Sequence, residues 1–484
     1  MSALAFSMSG CRDQIIPDND DGDDNDYYGI IYDINEIAAV LENREEGAEK
    51  ENPVVLELNM DLGKMSSAGS GWQKLLSAIG AAQKFVTLDL SACTLEEHPS
   101  PYFHPDYTIS TGKNKIVKLI LPDDAADITG GTGAGDCAFK YFSALEYVKG
   151  KNINHIGSWA FYDCGNLEKI DFPAVTAINQ GVFYGCDSLI EADLINVVYI
   201  GNNAFSGCSN LVSVNMPKAE TIDQYAFYNC TSLVEAVFLS VKTIGNCAFY
   251  GCNSLEKALF PKVEIVHAQT FSGCTHLEEI DFSSATYIAT EAFYGCSSLE
   301  KAVFPKVTVI ESNVFLNCTS LTEASFPDAF YIAAYSFGNC INLKKAEFHA
   351  DVSQITFEPF ALYGCSSLET LDLRYAKNVA FHTGVLGNIG NTQARELNLY
   401  LFDDDGTLCN GGHPPLGHFM GGADGGIQTV ITINIIAPFV PQGQSQIEKI
   451  NYETHKHGIY ISLTEDSNFN KYIKTNPVIR RNDL

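Results

Sequence analysis

The chain has 484 residues, 59 acidic against 30 basic side chains, a formal net charge of -29 and 15 cysteines. So acidic a balance repels phosphate backbones and anionic lipid, which excludes sequence-independent nucleic-acid binding and a polybasic membrane patch and leaves neutral or basic partners. Apolar residues make up 46% of the chain, an ordinary share for a globular protein, and no run of about 18 apolar residues is present to span a bilayer.

Met1 to Cys11 reads MSALAFSMSGC. Ser9 and Gly10 in front of Cys11 resemble the lipobox of bacterial lipoproteins, in which a signal peptidase cuts before the cysteine and a lipid is attached to its sulfur. Met8 stands where that pattern prefers Leu, and no Lys or Arg precedes the short apolar stretch, so a longer signal beginning upstream of Met1 is the expectation. From Arg12 to Glu51 there are 14 acids and 3 bases, concentrated between Asp18 and Asp26. Such a stretch cannot bury enough apolar surface to offset its ordering entropy and reads as a solvated tether. A calcium loop fails on spacing, since Gly22 comes fifth counting from Asp18 and Gly29 stands where an EF-hand needs its bidentate Glu. An acidic tether after a lipidated cysteine resembles the segment that sends some lipoproteins to the outer face of the outer membrane. The membrane is therefore reached only through the lipid on Cys11.

Asp33-x-x-Glu36 forms a capping box before the one-sided apolar face of Ile34, Ile37, Ala38 and Leu41, and Trp72, Leu75, Leu76 and Ile79 repeat the helical spacing. Phe85 to Leu90 and Ile116 to Leu121 alternate as strands. Gly130 to Gly135 is glycine-rich but lacks the Gly-Lys-Ser/Thr ending of a phosphate cradle, and it reads as a loop.

From Cys164 to Cys340 nine cysteines recur every 22 residues, and Cys365 follows after 25. A Phe leads each of the nine by three residues, from Phe161 to Phe337, and a Leu follows by three, from Leu167 to Leu343. Behind them come an aliphatic, an aromatic, a Val or Ala, and an Ile, as in Ile170, Phe172, Val175 and Ile178. A fixed period of this length means a solenoid, because one coil cannot cover its own apolar edge and must stack on neighbours. Ile170 and Phe172 point inward along a short strand while Lys169 and Asp171 point out; Pro173 ends it, and a short helical turn around Val182, Phe183 and Tyr184 is expected to lead into the next cysteine. Pro173, Pro217, Pro261 and Pro305 recur every 44 residues, which a duplicated two-coil block explains.

The form A-F-x-x-C-x-x-L-x-x-a-x-F-P-x-V-x-x-I, carried from Cys137 to Leu373, resembles the BspA-type leucine-rich repeats of bacterial surface proteins. Val182 and Val314 stand for Ala, and Leu239 and Ser283 for Pro, without disturbing the pattern. The resemblance implies surface display and protein-protein adhesion, and it supplies no binding residue. The fold expected is an α/β repeat, a curved parallel-strand leucine-rich-repeat solenoid with a helical N-terminal cap and a small C-terminal cap. The expected division is a truncated lipoprotein signal at 1–10, an acidic tether at 11–26, a cap with degenerate repeats at 27–136, the solenoid at 137–400 and a C-terminal cap at 401–484.

Equivalent cysteines on adjacent coils would hold their β-carbons near the strand spacing of about 4.8 Å, wider than the disulfide mean of about 3.8 Å, so the ladder reads as buried thiols. Cys247 and Cys252 within one coil are a separate disulfide candidate. Cys409, His413, His418 and Asp424 lie in a glycine-rich stretch that offers no rigid frame for zinc. Thr429 to Ile435 and Gly458 to Ser462 read as closing strands, with a helical stretch near Asn468 to Lys474. No metallohydrolase, nucleophile-elbow or paired-carboxylate signature appears, so neither catalysis nor a cofactor or metal is expected.

Two rows stand out as candidate ligand surfaces. On the outward strand position the sign of charge alternates from Glu235 through Lys257, Glu279, Lys301 and Glu323 to Lys345. In another column Tyr199, Tyr287 and Tyr331 form a spaced tyrosine row, the kind of platform a sugar needs. The leading reading is a monomeric, lipid-anchored adhesin binding an extracellular or host protein, with glycan capture or a passive spacer as alternatives.

Overall fold

The computed structural model describes residues 29–95, 102–105, 110–131, 137–348, 350, 355–373, 379–382 and 384–387, and the strands at 395–400, 431–437 and 460–465. Cys11, the acidic run 18–26 and the 409–424 cluster lie outside the described residues, as does the helical stretch near 468–474.

The stack is a parallel solenoid. Each coil gives a three-residue front strand, such as Lys169–Asp171, and a two-residue back strand, such as Ala177–Ile178. The back strands form one sheet of thirteen, running from Tyr102–Phe103 to Val379–Phe381. Register is strict: Tyr199 pairs with Thr221 and Ile200 with Ile222, a shift of one coil. The stack begins earlier than the cysteine repeat. Val54–Glu57 pairs with Val86–Asp89, which pairs with Ile116–Ile120, so the degenerate coils already belong to the front sheet. The strand at Val54–Glu57 extends the stack by one coil, with Val54, Leu56 and Leu58 buried as Val86, Leu88 and Leu90 are in the next. At the other end Arg395–Tyr400, Ile431–Ala437 and Tyr460–Glu465 continue the same parallel sheet.

Helix α1 (Ile37–Asn43) and helix α2 (Gly71–Ala82) sit against the first coils. Asp33 accepts from the amide of Asn35, so only half of the expected capping box forms, and it caps a 3-10 turn at Ile34–Glu36. Ser70 caps α2 by accepting from the Gln73 amide, while Gln73 accepts from Gly69. Trp72, Leu75, Leu76 and Ile79 are fully buried, and the Trp72 ring meets Phe103 edge-on at 5.6 Å. That burial closes the apolar end of the stack.

Two ladders of Phe run through the core. Rings from Phe161 to Phe337 stack at centroid spacings of 5.1 to 5.5 Å, and a second column from Phe238 to Phe348 packs tilted against them. Each aromatic pair adds about 0.5–1.5 kcal/mol beyond its burial, which rewards identity at every coil.

The return segment is not helical as expected. It runs through consecutive turns whose residues repeatedly take the left-handed conformation, as at Gly181 (φ 62°) and Gly185 (φ 69°). Gly130, in the glycine-rich loop, presses on the backbone of Gly157 and Ser158, so its lack of a side chain serves coil-to-coil contact.

The front sheet divides in three places, after Lys169–Asp171, Ser213–Asn215 and Glu279–Asp281. Each division follows a coil with a β-branched residue at the inward strand position, Ile170, Val214 or Ile280, and precedes one with Ala192, Ala236 or Ala302. Val214 and Ile280 are only half-buried where those alanines are buried. The reverse steps, from Ala192 to Val214 and from Ala258 to Ile280, stay paired, so size difference alone does not open the sheet.

Thirteen cysteines are free and buried among the described residues, including Cys247 and Cys252, so the intracoil disulfide does not form. From Cys186 to Cys365 each thiol donates to the backbone carbonyl of the repeat Phe one coil back, at 3.1 to 3.2 Å. In most of these coils the same carbonyl also accepts from the amide of its own coil's cysteine, as Phe183 does from Cys186. Cysteine is thus a small apolar filler that also satisfies the carbonyl's second lone pair. Alanine would leave that second lone pair unfilled while the amide bond remained.

Burial pushes these thiols up, Cys252 to about 12. In the intact protein, alkylating reagents should leave Cys186 to Cys365 unmodified, and denaturation without reductant should expose them all; adjacent-coil disulfides in mass spectra would contradict this. Because the unfolded thiol ionises first, the ladder's stabilisation is complete below about pH 9 and is lost as pH rises toward 12, by up to about 1.4 kcal/mol per thiol and pH unit. Melting temperature should fall over that window, and less steeply in Cys252→Ala.

Candidate functional site

The outward positions of the front strands form a charged and apolar face. Lys257 pairs in register with Glu279, and their side chains form an ion pair at 2.9 Å; Lys301 and Glu323 do the same at 3.3 Å. Glu279 holds the Lys257 ammonium above its ordinary pKa, chiefly by hydrogen bonding. The expected continuous alternation is interrupted. Glu279 and Lys301 face each other across a division of the front sheet, and Lys345 pairs along its own strand with Glu347. The row therefore consists of two-coil pairs, matching the 44-residue repeat of proline.

Exposed apolar side chains accompany the front strands, Val237 and Val303 on them and Ile190 and Val212 just before them. Ile190, Val212, Val237 and Val303 are 50%, 44%, 41% and 54% exposed, and Ile195 and Leu239 occupy the place that proline takes in alternate coils. Nothing about period distinguishes these residues, since they are the places where a polar consensus is broken. That departure was the signal available in the sequence.

Tyr199, Tyr287 and Tyr331 lie on the back sheet, away from the charged row. Their separations of four and two coils keep the rings apart. The Tyr199 hydroxyl donates to Asp223 at 3.0 Å and the Tyr287 hydroxyl to Glu311 at 2.9 Å, each one coil on. Partial burial first, and then these carboxylates, raise the tyrosines' pKa, and Glu358 acts similarly on Tyr331. These contacts make the row a clasp between coils.

Among the described residues no helix is long and apolar enough to cross a membrane, and no group of three or more His, Cys, Asp or Glu is placed to hold a metal ion. The buried ladder thiols are held neutral, the opposite of an activated nucleophile.

A stack of short parallel strands with an apolar ladder inside and variable side chains outside defines the leucine-rich-repeat solenoids. Residues 116–234, 242–369 and 309–386 match the model of the BspA type leucine rich repeat region, in six copies covering more than half of the chain, and the protein belongs to that family. A leucine rich cell surface protein from Faecalibacterium prausnitzii is 20% identical over 55% of this chain and 79% of its own, with a TM-score of 0.34. A leucine-rich repeat protein from Bacteroides ovatus is 23% identical over 48% and 86%, with a TM-score of 0.22. The pneumococcal vaccine antigen PcpA is 14% identical over 72% and 84%, with a TM-score of 0.37. No curated protein matches the chain.

Glu279→Lys would place three lysines in a row from Lys257 to Lys301. Each exposed pair contributes about 0.2–1 kcal/mol, so the variant should melt slightly lower at low ionic strength and recover partly with salt. An unchanged melt combined with lost partner binding would make the row a recognition surface instead.

Proposed function

We propose that this is a lipid-anchored bacterial surface protein whose front face binds an extracellular or host protein. The observation that carries the reading is the exposed apolar set on and just before the front strands, Ile190, Val212, Val237 and Val303, in a stack whose front strands also carry ordered ion pairs. A water-excluding centre with a charged surround is the anatomy of a protein interface, and the net charge of -29 favours a neutral or basic partner. The family's repeats and the cell-surface relative from Faecalibacterium support display outside the cell. In this reading residues 1–10 end a signal, Cys11 carries the lipid, residues 11–26 hold the solenoid off the membrane, and 401–484 close it as a monomer. The solenoid is a binding scaffold without catalysis.

Fractionated cells should hold the wild type in the membrane fraction, open to added protease, and release Cys11→Ala; an equally membrane-bound variant would remove the lipoprotein reading. For the binding face, residues 27–484 should capture a partner from host extract that Val212→Asp with Val237→Asp loses at least tenfold. Equal capture by that variant would move the interface elsewhere.

A further inference from the structure

A third face, formed by the turns between back strand and cysteine, has an unusual chemistry. From the back-strand Ile or equivalent to the second residue past the cysteine, ten successive coils from Ile156 to Ser367 carry neither Lys nor Arg. The polar groups there are amides, hydroxyls, a few acids and two imidazoles, His267 and His276, with Asn203, Asn229, Asn313 and Asn339 among the amides.

Aromatic rings interrupt this amide surface, Tyr294 singly and the others in three clusters. Trp159 lies edge-on to Tyr162 and Tyr184, at 5.7 and 5.9 Å, and those two tyrosines stack at 5.1 Å. Tyr225 stands edge-on to Tyr228 at 5.7 Å, and Tyr228 stacks on Tyr250 at 5.1 Å. Tyr335 stacks on Phe360 at 5.0 Å, and both meet Tyr363 edge-on. Trp159 lies directly across Gly181, where a Cβ would come within 2.0 Å of the indole. The three clusters are three and five coils apart, about 14 and 24 Å along one face.

The outer rings occupy a position that does not suit them. Five residues before each cysteine of these regular coils the backbone is left-handed: Gly181, Asn203 and Asn313 there have φ of 62°, 56° and 61°, and Cys247, Gln269 and Glu291 have 54°, 56° and 60°. Glycine and asparagine take that conformation readily, whereas a bulky ring is an outlier. Yet Trp159, Tyr225 and Tyr335 sit there at φ of 61°, 58° and 54°, and Tyr225 and Tyr335 each remain 37% exposed. A strained backbone that presents rings to solvent gains nothing for the core. The left-handed turn is common to the repeat; what singles out these three coils is a ring placed there in contact with other rings.

We propose that the turn face is a carbohydrate-binding surface, with the clusters around Trp159, Tyr225 and Tyr335 as three stations for an uncharged glycan. Pyranose rings present C–H faces that pack on aromatic rings, and their hydroxyls both donate and accept, as an amide side chain does. The lack of Lys and Arg leaves no bidentate or ammonium partner for sialylated or sulfated sugars and favours neutral ones. This surface is separate from the front face and does not depend on the protein-binding reading.

The test replaces each outer ring with the residue other coils use there: Trp159→Asn, Tyr225→Asn and Tyr335→Asn together in the full chain. The probe is a printed array of neutral, sialylated and sulfated oligosaccharides. Wild type should retain neutral glycans, and the triple variant should bind them at least tenfold more weakly with an equal or higher melting temperature. Trp72 is buried and is the chain's only other tryptophan, so the best neutral oligosaccharide should also shift wild-type emission through Trp159. That titration stands if the variant fails to fold. The proposal is overturned if wild type binds no neutral glycan, if it prefers acidic ones, or if emission does not move. It also fails if the folded triple variant binds as wild type does, or loses more than about 5 °C of melting temperature, which would make the rings a structural cover.

Discussion

Everything in this molecule depends on the contact between one coil and the next, repeated in register at the spacing of a parallel sheet. A single coil has an apolar edge on each side and no means of covering either. Stacking buries Phe on Phe and Leu on Leu, and it pairs the backbone of each back strand with that of its neighbour. The stack's ends need covering, and α2 with its buried Trp72 covers one of them.

The same repetition explains why cysteine is so regular. In register, each thiol lies beneath the carbonyl of the Phe one coil back, and its weak S–H donor finds an acceptor there. Valine would fill the space without the donor, and serine would add a hydroxyl with stronger needs. The front sheet divides after the coils of Ile170, Val214 and Ile280, while the back sheet runs through unbroken.

Repetition inside leaves the outside free to vary, and the three outer faces have diverged. The front strands carry ion pairs and exposed valines, the back strands carry tyrosine-to-carboxylate clasps, and the turns carry amides and aromatic clusters without Lys or Arg. A solenoid separates these chemistries because each repeat position always faces the same way.

The amino-acid sequence by itself determined the period, the inward columns, the strand at each coil and the buried thiols, because each is a local pattern repeated at least nine times. It also placed α1 and α2 through their apolar spacing. Tertiary structure alone decided the rest. The charge row broke into the pairs Lys257–Glu279 and Lys301–Glu323 because strand pairing, a long-range property, lapses between Asp281 and Val303. The turns became left-handed instead of helical because each must return the chain within one coil height. Tyr199 and Tyr287 were claimed by carboxylates 24 residues away, and Trp159 met Tyr184 only because stacking brings residues of neighbouring coils together.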